Sequence, residues 1–198
     1  MATRASYHHG RLKQALVDEA VRGARAGGES AVGLNRLASA VGVSASAAYR
    51  HFPGGLDELL VAVGDVGRRE LAERIVLRTG EVPASRDPQV NARRRFRASG
   101  QAYVEYVLEE PGLFQVACRH EDAAVSDGGP FRLLEDCIDN LVSTGVLPRE
   151  RRRHAATAAW AAVHGVAMLL TEGSLRRMQE APRRAAVQRV LDMVERGL

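Results

Sequence analysis

The chain has 198 residues, 45% hydrophobic and 26% charged, with a formal net charge of +4. That balance is that of a folded globular protein and excludes charge-driven disorder and fibrous repeats. No stretch approaches the roughly 18–20 uninterrupted apolar residues of a membrane span. The N-terminal MATRASYHHGRLKQ carries no apolar run of signal-peptide length, so the expectation is a cytoplasmic chain with no membrane partner. Two cysteines, Cys118 and Cys137, are too few for a disulfide scaffold and are taken as reduced thiols. Residues 1–55 hold seven basic side chains against three acidic ones, whereas the rest of the chain is balanced. All of the formal excess charge therefore sits in the first quarter, which points to an anionic partner there.

The expected fold class is all-α. Ala, Arg and Leu are abundant, and no period-2 alternation bounded by turn pairs occurs. A first helix is predicted over 12–25, with Leu12, Leu16, Ala20 and Ala24 spaced by four and Gly27-Gly28 ending it. A short second helix covers 34–41, and Gly42 makes a turn. Ser44 caps a third helix over 45–52, and Pro53-Gly54-Gly55 breaks the chain. A longer fourth helix spans 56–78, and the domain boundary falls inside it, giving units of 1–60 and 61–198. Further helices are predicted over 89–110, 131–144, 150–172 and 182–196. Between the first two of these come a short turn at 113–116 and a polar, Gly-rich loop over 119–130.

Residues 34–53, LNRLASAVGVSASAAYRHFP, carry the strongest signal. A helix-turn-helix needs a small residue where its helices touch, a turn residue tolerant of positive φ, and apolar inner faces. Ala38, Gly42 and the set Leu34, Leu37, Val43, Ala48 and Phe52 meet those needs. The outward face of the third helix then shows Ser44, Ala45, Ser46, Tyr49 and Arg50, suited to the major groove of double-stranded DNA. Arg50 can fork onto guanine or phosphate, while Tyr49 and His51 can donate to phosphate oxygens. The plainer alternative is a tight helical corner with no partner.

Residues 7–60, including VGVSASAAYRHF, resemble the N-terminal domain of the TetR family of transcriptional regulators. The resemblance implies an all-α homodimer reading a palindromic operator, released by a small hydrophobic effector bound in the C-terminal unit. It implies DNA contacts from Arg11, Lys13, Asn35, Ser44, Ala45, Ser46, Tyr49, Arg50 and His51. Three positions depart from the family pattern. Gly33 replaces a capping Ser or Thr, Ala47 replaces a Thr, and Gly54-Gly55 replaces a stretch with a Lys. A lost cation lowers the salt slope of DNA binding by about one. Arg11, Lys13 and a flexible Tyr7-His8-His9 arm are the expected compensation.

The segments QAYVEYVLEEPGLFQVA and AATAAWAAVHGVAMLLTEG resemble the C-terminal domain of one TetR subgroup marked by Trp-x-x-x-His-Gly, here Trp160, His164 and Gly165. In the last two helices, Ala155, Ala159, Ala162, Val166 and Leu170, with Val187, Val190, Leu191 and Val194, form stripes suited to a four-helix dimer interface. The alternative is that these stripes close the protomer's own core. Phe96, Tyr103, Tyr106, Phe114, Phe131, Trp160 and His164 are the candidates for lining an effector cavity. The commoner fate of helical aromatics is simply to fill a core.

No cofactor, metal or enzymatic activity is expected. Cys118-Arg119-His120-Glu121-Asp122 lacks a second ligand pair at metal spacing, and no nucleophile, base and orienter stand together. The basic run Arg149–Arg153 is expected at the start of a helix, as a solvated face or a source of salt bridges between subunits. Besides the effector-released repressor, a constitutive DNA-binding dimer without effector stays open.

Overall fold

The computed structural model describes residues 4–120 and 129–198, with side chains from residue 11 onward. These form nine α-helices and two 3₁₀ turns, with no strand among the described residues. The helices are α1 (Arg4–Gly27), α2 (Leu34–Val41), α3 (Ala45–His51), α4 (Gly55–Gly80), α5 (Pro88–Glu109), α6 (Pro111–Arg119), α7 (Pro130–Ser143), α8 (Ala155–Thr171) and α9 (Glu180–Gly197). None is long and apolar enough to cross a membrane.

The chain divides into two compact units, Met1–Arg68 with Glu110–Val125, and Arg69–Glu109 with Ser126–Leu198. The first is built on the four-spaced stripe of α1. Leu16, Ala20 and Ala24 are fully buried against Leu34, Leu37 and Ala38 of α2, Ala48 of α3, and Leu59, Leu60 and Val63 of α4. Leu113 and Val116 of α6 complete that core. The approach of α6 depends on Gly112, where a Cβ would collide with the Ala24 carbonyl oxygen and come within 3.1 Å of the Gly28 nitrogen. In the second unit Phe96, Ile138, Leu141, Ala155, Ala159 and Val194 form the core between α5, α7, α8 and α9.

Several elements differ from the sequence expectation. The first helix starts at Arg4, so Tyr7, His8 and His9 lie on a helix and not on a flexible arm. The segment at 113–116 belongs to a nine-residue helix, because Pro111 opens α6 at a position where its missing N–H costs nothing. The basic run does not start α8. Arg149–Arg151 form a 3₁₀ turn, and His154, at φ 64°, separates it from the helix. Arg152 pairs within the chain, its Nε 2.7 Å and Nη2 3.0 Å from the two carboxylate oxygens of Asp139. Most of the Gly-rich loop lies outside the described residues, as do Glu121 and Asp122.

Candidate functional site

In the first unit the helix-turn-helix has its expected local chemistry. Gly42 caps α2 in the left-handed region at φ 79°, and the Val43 N–H reaches back to the Ala38 carbonyl at 2.9 Å. The Ser44 hydroxyl accepts the Ala47 N–H at 3.3 Å, which caps α3. With Ala48 and Phe52 buried beneath it, α3 turns Ser44, Ala45, Ser46, Tyr49 and Arg50 outward. Tyr49 is 48% exposed. Asn35 is exposed on α2 and Arg11 on α1, while His51 is half-buried. Gly33 leaves α2 without a side-chain cap.

Lys13 occupies a different position from a free phosphate contact. Its Nζ lies 3.4 Å from Glu58 Oε1 and 5.0 Å from the centre of the Phe52 ring. Glu58 Oε2 in turn accepts the Gly54 N–H at 3.0 Å, so α4 begins on its own carboxylate. Arg68 donates to the carbonyls of Ala117, at 2.5 Å, and His120, at 3.3 Å, and so closes the C-terminal end of α6.

The second unit contains a cavity walled by α5, α8 and α9, with Ile75 of α4 and Leu134 of α7. The centre of a water molecule can explore about 40 Å³ of it, room for roughly three waters. Phe96, Tyr103 and Trp160 line it. Phe131 and His164 stand behind this wall. The Phe131 and Trp160 ring centres are 5.5 Å apart, and His164 stacks on Trp160 at 6.2 Å with 9° between planes. Tyr103 meets Trp160 edge-on at 5.0 Å, and its hydroxyl is 2.8 Å from His164 Nδ1. Burial holds the His164 imidazole below its ordinary value. Which of the two groups donates in this hydrogen bond is set by the tautomer of the His164 ring.

Two sequence candidates are not in this wall. Tyr106 is one turn from Tyr103 but points elsewhere, with its hydroxyl 3.5 Å from Glu70. Phe114 lies on α6 and belongs to the first unit. The dimer stripe needs a similar correction. Ala155, Ala159, Val166, Leu170, Val187, Leu191 and Val194 are all buried within the protomer, and Ala162 and Val190 are half-buried. Ala155, Ala159 and Val194 fill the core beside α5 and α7, so these apolar faces are already used.

The cavity residues that sequence missed include the apolar Ile75, Leu134 and Val163, and also Gly100, Arg97 and Glu195. Gly100 admits Leu191, whose Cδ2 would stand 2.8 Å from a Cβ there. Arg97 reaches α9, with Nη1 2.7 Å from Asp192 Oδ1 and 3.2 Å from Glu195 Oε2, and Nη2 2.5 Å from Gln188 Oε1. Burial works against the Arg97 charge, but the hydrogen bonds it donates to Asp192 and Glu195 outweigh it and the guanidinium sits above its usual value. The acidic pair at i, i+3 on α9 was the available signal. Among the described residues no three His, Cys, Asp or Glu side chains gather as a metal site. Cys137 is half-buried, and burial pushes its thiol up, away from reactivity.

A family model described as tetracyclin repressor-like, C-terminal domain, matches residues 96–194, half of the chain. A protein of unknown function from Rhodococcus sp. RHA1 superposes with a TM-score of 0.76 at 26% identity, over 97% of each chain. The TetR family transcriptional regulator PfmR from Thermus thermophilus shares the fold, with a TM-score of 0.51 at 19% identity over 92% of this chain and 98% of that one. No curated protein matches the sequence. The family match over half the length, on a chain with this helical fold, has one reading: the protein belongs to the TetR family of transcriptional regulators.

Proposed function

We propose that the protein is a homodimeric repressor that binds a palindromic operator through α3 and leaves it when a small molecule occupies the cavity of the second unit. The observation that carries this reading is the outward face of α3. It presents Ser44, Ala45, Ser46, Tyr49 and Arg50 on a capped helix fixed by the buried Ala48 and Phe52. A second copy would meet the outward faces of α8 and α9, where Ala158, Ala161 and Ala185 are exposed beside Leu169, at 45%, and Met193, at 59%. Small side chains there allow close helix approach, and two helices from each protomer make a four-helix seam. Effector and operator then oppose each other by a reciprocal coupling on the order of 1–3 kcal/mol.

Selection of DNA from a random pool, followed by titration of wild type and Arg50→Ala, tests the reading. A palindromic winner, bound about ten- to a hundredfold more weakly by Arg50→Ala, supports it. No enrichment above non-specific binding removes it. The small cavity favours one alternative, a constitutive dimer in which the aromatic side chains are only core. In that case the operator complex would withstand every compound that wild-type protein is offered.

A further inference from the structure

Arg152 of the basic run is taken up by Asp139, but Arg151 donates to the Leu198 carbonyl oxygen, at 3.3 Å, and to no carboxylate among the described residues. It is presented by a strap that Leu147 anchors in the core and Pro148 turns, with the Arg151 N–H 2.9 Å from the Pro148 carbonyl. The bridges from Arg97 to Asp192 and Glu195 hold α5 beside α9 here. Arg93, one turn before Arg97, therefore meets the last turns of α9, which carry Arg196. Arg93, Arg151 and Arg196 are all exposed, and they line one open cleft with Asp192 and Glu195. Neither Arg93 nor Arg196 has a carboxylate partner among the described residues.

Three guanidiniums from three elements repel one another across a cleft unless an anion sits between them. The two acids on the wall do not fill that role, since Arg97 already binds both, at 2.7 and 3.2 Å. With Arg97 counted, four cations stand against two carboxylates, an excess that a terminal carboxylate on Leu198 would reduce and not remove. The centre of a water molecule can explore about 640 Å³ of the cleft, the scale of a small-molecule site and far more than one phosphate fills. The guanidinium fork meets phosphate oxygens two at a time. Two phosphate groups carry about three to four negative charges at neutral pH, which suits three arginines better than the two charges of a dicarboxylate. We propose that this cleft is a second ligand site, separate from the aromatic cavity, and that it binds the diphosphate group of a small molecule. The site lies wholly within the second unit and depends neither on the reading of α3 nor on that of the cavity.

Calorimetric titration of the full-length protein at neutral pH and constant ionic strength, with pyrophosphate, ADP, orthophosphate and succinate, tests this. Pyrophosphate is expected to bind at least about tenfold more tightly than orthophosphate or succinate. Arg93→Gln, Arg151→Gln and Arg196→Gln should each weaken it by about three- to tenfold, the loss of one charge-assisted contact at an exposed site. Arg50→Ala, altered on α3, should bind pyrophosphate as wild type does. ADP binding more tightly than pyrophosphate supports an organic diphosphate that rests on the apolar Val146 and Pro148, and equal affinity supports a site that reads the diphosphate alone. Succinate matching pyrophosphate overturns the proposal, because the cleft would then read charge without preferring phosphate. Pyrophosphate binding lost in Arg50→Ala but kept in the three cleft variants assigns the anion to α3 and overturns it too. So does the absence of any binding heat at millimolar pyrophosphate. Thermal melts establish that each variant is folded, and three independent arginines keep the test open where one is not.

Discussion

Lys13 and Glu58 hold each other across the end of the helix-turn-helix, 3.4 Å apart, with the ammonium over the Phe52 ring. A cation that could neutralise a phosphate is thus engaged within the chain. Glu58→Gln keeps an acceptor for the Gly54 N–H but releases Lys13 and removes a negative charge beside the reading helix. The variant should bind DNA more tightly and steepen the salt dependence by about one unit. Stability should change by no more than about 1 kcal/mol, as expected of an exposed pair. Titrations at three salt concentrations decide it, and an unchanged slope would mean that Lys13 stays away from DNA even when released.

Gly33 precedes α2 at φ −165°, an ordinary extended conformation, and a Cβ there would touch nothing within 4 Å. Serine should fit without strain and cap the uncapped helix. Gly33→Ser is expected to stabilise the protein by a few tenths of a kcal/mol to about 1 kcal/mol. Its hydroxyl also becomes a donor for phosphate, so DNA affinity should rise with it. A fall in thermal midpoint would contradict this account of the cap.

Gly112 and Gly165 make a matched pair of opposite sign. A methyl group at Gly112 would run into the Ala24 carbonyl, whereas Gly165 has open space around it. Gly112→Ala should cost about 1–3 kcal/mol through overpacking against backbone. Gly165→Ala should gain up to about 1 kcal/mol from helix propensity in an isolated protomer. A loss at Gly165, measured together with a shift toward monomer in sedimentation, would place that residue in the seam between two copies.

His164 gives the protein a pH dependence of defined sign. Its folded pKa lies below the ordinary 6.5 because burial disfavours the charged ring. As pH falls, the unfolded chain takes up the proton first, so stability declines below about pH 6.5 and is fully present above it. Thermal midpoints of wild type and His164→Gln between pH 8 and 5 should converge or cross as the pH drops. Parallel curves would show that His164 titrates in the folded protein as it does in the unfolded chain.

The helix-turn-helix was legible in sequence because its determinants are local. Gly42 supplies a left-handed turn, Ser44 a cap, and the spacing of Leu34, Leu37 and Ala48 the inner faces. The second unit was legible as helices but less so as a site. A stripe such as Ala155, Ala159 and Val166 shows which face of a helix is apolar and not what covers it, and here the covering partner is the protomer itself. Pro111 reads equally as the end of one helix or the start of another, which hid α6. Arg97 carried no signal in the sequence because its carboxylate partners lie about a hundred residues away on α9.

The placement of α6 has a practical consequence for anyone wishing to excise the reading head as a portable module. Leu113 and Val116, both fully buried, wall the same core as Leu16 and Leu60, although α5 intervenes in the sequence. A fragment cut after residue 60 would keep every side chain proposed to face DNA but lose that wall, together with the later turns of α4. Grafting the head onto another body therefore calls for a helix standing in for α6, with a glycine at its approach to α1. Its specificity can be transplanted only along with this borrowed piece of chain.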